Sequence, residues 1–172
     1  FYPSIEVYDL STGKVLWKYF LRKKKEKFKG GNPWGGISLD NKRGVLFITT
    51  GNPENYFIGV DRPGENEYTN SVIAIDIDKK KELWKFQETE HDIWNLDIPA
   101  APILTTINYK NKKIDVVVAI TKLGNTLIFD RDTGLNLNKY INIETRSSNI
   151  KGEKSSKYQK YFLEPENFSK NN

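Results

Sequence analysis

Short apolar runs recur along this chain, separated by Gly, Asn, Asp and Lys. They read IEVYDL (5–10), VLWKYFL (15–21), GVLFITT (44–50), SVIAIDI (71–77), ELWKFQ (82–87), IDVVVAI (114–120) and TLIFD (126–130). Runs of this length, rich in β-branched and aromatic residues and bounded by turn formers, predict strands. No segment keeps the 3.6-residue period of an amphipathic helix, so an all-β fold is expected.

Three of these stretches are copies of one another. VYDLSTGKVLWKY aligns with AIDIDKKKELWKF and with IFDRDTGLNLNKY, matching Asp9, Asp76 and Asp130 at spacings of 67 and 54 residues. In each, a strand ends in Asp, a polar turn follows, and a second strand begins. The Asp carboxylate is placed to take turn amides, and Gly13 and Gly134 supply positive φ. Trp17 and Trp84 fall eight residues after their Asp, whereas the third copy has Asn138 there. Repeated β-units of this size predict a β-propeller, in which each blade buries a face on the next and a Trp at a fixed hairpin position docks between blades. The chain supplies two to three blades, an arc of a larger ring with open edges at both ends.

Composition adds four points. The 172 residues carry no Cys, which excludes a disulfide framework and thiolate metal sites within this stretch. No apolar run reaches the length of a membrane span. The net charge of +5 is concentrated in RKKKEKFK (22–29) and KKK (79–81). Both runs fall at turns between strands, and no nucleic-acid-binding motif accompanies them, so they are expected to be solvated rather than to bind nucleic acid. The chain lacks Met and opens on a strand-like FYPSIEV, and reads as a fragment of a longer protein.

Several segments, in order, resemble the pyrroloquinoline quinone (PQQ)-dependent dehydrogenases, the eight-bladed quinoprotein propellers. They are NPWGGISLDNKRGVLFITTGNP (32–53), YTNSVIAIDIDKKKELWKFQETEHDIWNLDIPAAP (68–102), ITKLGNTLIFDRDTG (120–134) and the Gly-Glu-containing IKGEKSSKYQ (150–159). DIPAAP and TKLGN look most like the membrane-bound glucose dehydrogenase branch. The resemblance implies PQQ on the propeller axis, a calcium ion bridging it to protein, and oxidation of a sugar, polyol or alcohol hydroxyl. Electrons would pass to a quinone or cytochrome. It also implies the bacterial periplasm, with any membrane anchor lying in segments outside this chain.

The same resemblance assigns residues. Trp34 in NPWGG matches the Trp that forms a platform under the PQQ ring, with Gly35 and Gly36 allowing close backbone approach. Asn52 in TTGNP matches an Asn whose side-chain oxygen binds calcium, a hard ion that accepts neutral amide oxygens. Lys122 in TKLGN, 27 residues after Asn95, matches a Lys that hydrogen-bonds the quinone oxygens and stabilises negative charge on them. His91 and Asp92 read as loop-shaping hydrogen-bonders, and Trp94 as packing. The calcium carboxylate expected from an earlier blade has no counterpart here.

Asn95 departs from the pattern. The family usually has Asp there, touching calcium and taking the substrate hydroxyl proton. An amide cannot accept that proton, although its oxygen can still bind calcium. Three explanations stand open: the base is displaced to Asp97 or Asp92, the protein belongs to a divergent subgroup that uses another base or one on another blade, or it is a weak or inactive relative. Asp97 is two residues on and shares the face of Asn95 in an extended segment. The rival to an enzyme is a catalytically silent propeller serving as a binding or assembly scaffold.

Overall fold

The computed structural model describes residues 2–23 and 28–164, which form eleven strands joined by turns and loops, with no helix among them. Residues 24–27 of the first basic run lie outside the described residues. Strands β3 (Ile37–Asp40), β4 (Val45–Thr49), β5 (Ser71–Asp76) and β6 (Lys81–Gln87) form a four-stranded antiparallel meander. Strands β7 (Ile103–Tyr109), β8 (Lys112–Ile120) and β9 (Thr126–Asp130) form a three-stranded one. Two hairpins flank them, β1 (Ser4–Tyr8) with β2 (Val15–Phe20), and β10 (Tyr140–Glu144) with β11 (Tyr158–Phe162).

The continuous apolar character of β4 and β5 has a direct cause. Side chains alternate between the two faces of a strand, and here both faces are covered. Val45, Phe47, Val72 and Ala74 pack with Val117, Ala119, Leu127 and Phe129 of the neighbouring sheet. Leu46, Ile48, Ile73 and Ile75 pack with Ile5 and Leu21 of the first hairpin segment. Each such buried Val, Leu, Ile or Phe side chain contributes about 1.5–3 kcal/mol relative to exposure. The four-stranded sheet is thus sandwiched between neighbours, as a propeller blade is.

The repeated Trp residues dock as expected. Trp84 on β6 lies between sheets, its ring 5.8 Å from that of Phe47 and 5.5 Å from that of Phe129. Trp17 on β2 packs against the opposite face of the four-stranded sheet. Asn138, in the third copy, does other work. Its Oδ1 accepts the amide of Ile128 at 2.8 Å and its Nδ2 donates to the carbonyl of Thr126 at 3.0 Å, so the side chain stands in for a fourth-strand partner of β9.

The Asp turns also form. Oδ1 of Asp9 accepts the amide of Thr12, that of Asp76 the amide of Lys79, and that of Asp130 the amide of Thr133. The residue four past each Asp has positive φ: Gly13, Lys80 and Gly134. Asp40 repeats the device with Lys42, Arg43 and Gly44, a fourth copy hidden by its divergent flanks. Asp40 also accepts from Arg131 at 3.0 Å and Arg43 at 3.1 Å, and Arg43 reaches Asp115 and Asp132, so these charges tie the two larger sheets together. In the second basic run, Lys79 pairs with Asp76 at 2.9 Å, a turn contact as expected of a solvated loop.

Candidate active site

Two strands of loop build one wall of a cavity. The amide of Gly31 donates to the carbonyl of Asn52 and the amide of Gly51 to that of Asn32, each at 2.9 Å, which lays residues 30–34 beside 51–54 at the exit of β4. Thr49 Oγ1 then donates to the carbonyl of Ala100 at 2.7 Å, anchoring the 91–102 loop to the same strand end. The open cavity they border has a volume of about 520 Å³ and is lined by Trp34, Asn52, Asn95, Asp97 and Lys122, together with Lys29, Gly30, Asn32, Gly51, Glu54 and Tyr56. This size lies within the range of small-molecule and cofactor sites.

Trp34, Asn52, Asn95, Asp97 and Lys122 therefore meet at one cavity, although they span 34 to 122 in the chain; Asp92, the alternative position for the base, is not among its lining residues. Trp34 is 60% exposed, an unusual state for a Trp beside a buried strand end. Its indole Nε1 donates to Oδ2 of Asp97 at 2.7 Å, which fixes the ring plane. Lys122 forms an ion contact with Oδ1 of the same carboxylate. The Lys122 ammonium also donates to the backbone oxygen of Asn95 at 3.1 Å and approaches its Oδ1 at 3.5 Å. Asn52 is buried, and its Nδ2 has no hydrogen-bond partner, an uncompensated donor at the cavity wall.

The loop from His91 is shaped by buried hydrogen bonds. Asp92 accepts the amides of Trp94 at 2.8 Å and Leu96 at 2.7 Å, and Nδ2 of Asn70 at 2.8 Å. These contacts curl the chain so that Asn95 takes a left-handed conformation, φ 61°, which Asn tolerates better than most residues. His91 Nδ1 donates to the carbonyl of Gly64 at 2.7 Å, and its Nε2 lies 2.5 Å from Oε1 of Glu153. The Gly-Glu segment is thereby joined to the loop, a pairing with no local sequence signal because 62 residues separate the partners.

Two expectations are corrected. Trp94 does not pack; it is 73% exposed, because the Asp92-centred turn directs it outward. Gly35 does permit a close backbone approach, but to this chain's own Pro99 and Ala100: a Cβ there would lie 2.5 Å from the Pro99 carbonyl. That contact fixes the Trp34 loop on the DIPAAP segment. Sequence reasoning also missed Glu54 and Tyr56 at the cavity, since a Glu and a Tyr beside a turn carry no distinguishing pattern.

One buried acid lies just behind the site. Glu88, at the exit of β6, is 1% exposed, and burial pushes its carboxyl up to about 7 against the opposing hydrogen bonds from Asn125 and Thr121. Among the described residues no cluster of three or more His, Cys, Asp or Glu side chains could hold a metal ion.

Relatives share this architecture. Residues 3–171 match the family model described as PQQ glucose/ethanol/alcohol dehydrogenase, β-propeller domain. The chain is 32% identical over 142 residues to quinoprotein glucose dehydrogenase A of Acinetobacter calcoaceticus, covering 76% of this chain and 18% of that protein. It is 30% identical over 167 residues to quinate/shikimate dehydrogenase (quinone) of Acinetobacter baylyi, covering 90% of this chain and 21% of the relative. The crystal structure of quinohemoprotein alcohol dehydrogenase from Comamonas testosteroni superposes with a TM-score of 0.70 at 24% identity, covering 90% of this chain and 27% of that one. A europium-containing methanol dehydrogenase gives 0.70 at 21% identity, covering 90% and 32%. The chain thus spans only about a fifth of the length of these curated relatives. With an all-strand fold, docked Trp repeats and a match over nearly its whole length, the chain belongs to the PQQ-dependent dehydrogenase β-propeller family.

Proposed function

We propose that this chain is an arc of an eight-bladed ring whose cavity carries PQQ, and that the whole protein oxidises a sugar, polyol or alcohol hydroxyl and passes the electrons to a quinone or cytochrome. The observation that carries this reading is the pairing of an exposed Trp34 indole with Lys122 through one carboxylate at the wall of a single cavity. A flat aromatic face held in a fixed plane suits stacking by a planar cofactor. The cofactor would supply the redox chemistry, and the protein the orientation and charge.

Within that reading each side chain has a task. Trp34 is the platform. Lys122 would hydrogen-bond an oxygen of the ring and stabilise negative charge there. Asn52 and Asn95 would each give calcium one amide oxygen, neutral ligands that a hard ion accepts. Both amides line the cavity, where a bound ion would meet them. Two amides do not complete a calcium shell, so the other oxygens come from the cofactor and from blades beyond this chain. Location in the periplasm, soluble or membrane-anchored, follows the same family reading.

The proton is the difficulty. Asn95 cannot take it, and both oxygens of Asp97 are already engaged by Trp34 and Lys122. Among the described residues, Glu54 is the other carboxylate at the cavity. The Asn95 substitution favours a second reading, a propeller that binds cofactor and turns over slowly or serves as a scaffold. The deciding experiment reconstitutes the full-length protein with PQQ and calcium and follows dye reduction across sugars and alcohols. Substrate-dependent reduction is expected; absence of both reduction and PQQ binding would refute the enzyme reading.

A further inference from the structure

Lys122 stands second in a tight turn after β8. The turn is closed by the amide of Thr121 donating to the carbonyl of Asn125, and by that of Gly124 donating to Thr121, both at 3.0 Å. A single carboxyl from the neighbouring sheet grips both ends. Oε1 of Glu88 accepts from Thr121 Oγ1 at 3.0 Å and from Asn125 Nδ2 at 2.7 Å. Glu88 is itself fixed by its amide, which donates to the carbonyl of Asn70 at 2.9 Å. Its other oxygen, Oε2, is buried with no partner.

We infer that Glu88 is a positioning residue for Lys122, holding the 121–125 turn through two hydrogen bonds and releasing it when the carboxyl ionises. The inference rests on the reading of Lys122 as the cofactor's hydrogen-bond donor.

The charges around Glu88 do not neutralise it. Glu90, His91, Asp92, Arg146, Glu153 and Lys160 line an adjoining cavity of about 440 Å³ with it. Glu90 pairs with Lys160 at 2.8 Å, His91 with Glu153, and Asp92 with backbone amides and Asn70. Arg146 makes no hydrogen bond to Glu88, whose partners are the neutral Thr121 and Asn125. The Lys122 ammonium is turned toward Asp97. Ionisation strengthens the bonds from Thr121 and Asn125 to Oε1, but it leaves charge on a buried carboxylate whose Oε2 has no partner, and that burial cost outweighs them and favours opening of the turn to water. With its carboxyl pushed up to about 7, this change falls between pH 6 and 8.

The test uses the full-length protein and two readouts. Amide hydrogen exchange, corrected for intrinsic rates, reports the turn itself, and PQQ titration reports its consequence. In the wild type, protection of the 121–125 amides is expected to fall roughly three- to tenfold from pH 6 to pH 8, the worth of about one hydrogen bond, with PQQ affinity falling in parallel. Glu88→Gln, which keeps an acceptor oxygen and cannot ionise, should hold both flat. Glu88→Leu should lose protection at every pH; if that variant does not fold, the Gln comparison decides. An unchanged pH step in Glu88→Gln, or a wild type without one, would overturn the inference. Failure of PQQ to bind the wild type would instead remove the cofactor reading, and the exchange data would still show whether Glu88 holds the turn.

Discussion

The indole nitrogen of Trp34 lies 2.7 Å from the carboxylate of Asp97, and that carboxylate also meets Lys122. Two residues 88 positions apart in sequence are thus set by one acid. Removing it should be felt at both. Asp97→Ala is expected to destabilise the protein by about 2–3 kcal/mol, the range for hydrogen bonds to a charged group. Asp97→Asn keeps an acceptor for the indole and loses only the ion contact, so its cost should be smaller. Thermal melts compare the two, and equal Tm values for Asp97→Ala and wild type would show that the carboxylate does not hold the site.

The missing proton acceptor can be restored. Asp adopts the left-handed conformation of Asn95 (φ 61°) almost as readily as Asn, so Asn95→Asp should fold. If the whole protein oxidises alcohols or sugars slowly, this variant should raise the rate by roughly 10²–10⁴, the usual contribution of a positioned general base. Glu54→Gln, read beside it, tests the remaining carboxylate among the described cavity residues: a large loss of rate there identifies Glu54 as the base in use. No gain in Asn95→Asp would mean that the base lies elsewhere in the ring.

Gly134 tests the docking of Trp84. It has φ 72°, and a Cβ placed there would lie 2.4 Å from the Trp84 ring. Gly134→Ala must therefore strain the backbone and displace the indole that joins two sheets. A loss of about 2–4 kcal/mol is expected from left-handed strain and overpacking together. Gly13 has a similar φ and open space around it, so Gly13→Ala should incur the backbone cost alone. Equal melting temperatures for the two variants would contradict the packing argument.

The strands and turns legible in the sequence were those with strong local causes. β4 and β5 are buried on both faces and so are apolar throughout, and the Asp turns carry their own hydrogen-bond acceptor. No such signature marks β3 (ISLD), β7 (ILTTINY), β10 (YINIE) and β11 (YQKYF), in which polar residues interrupt the apolar run and exposed positions are frequent. The cavity residues Trp34, Asn52, Asn95, Asp97 and Lys122 carry no periodic signal and are legible only through the family resemblance. The contacts that join them, Trp34 with Asp97 and His91 with Glu153, cross more than 60 residues of chain and leave no local trace. The outward turn of Trp94 was likewise invisible, because it follows from where Asp92 finds its amides.

Glu88 should leave a signature in stability as well as in the site. Its carboxyl is raised in the folded protein from 4.5 to about 7, so the folded state holds a proton that the unfolded state releases across that interval. The resulting stabilisation is fully present below about pH 4.5 and is lost as pH rises through 7; for a group this buried it amounts to about 3 kcal/mol. Several other acids act in the opposite sense. Asp9 is held down by hydrogen bonds from Thr12 and Ser11, and Asp76 by those from Lys79, and their contributions are lost as pH falls. The difference between wild type and Glu88→Gln cancels these shared effects. At pH 5 the two should melt close together, and at pH 8 the Gln variant should be the more stable, because it keeps the acceptor for Thr121 and Asn125 without a buried charge. A Tm difference between the two that does not change from pH 5 to pH 8 would show that Glu88 does not titrate in this range.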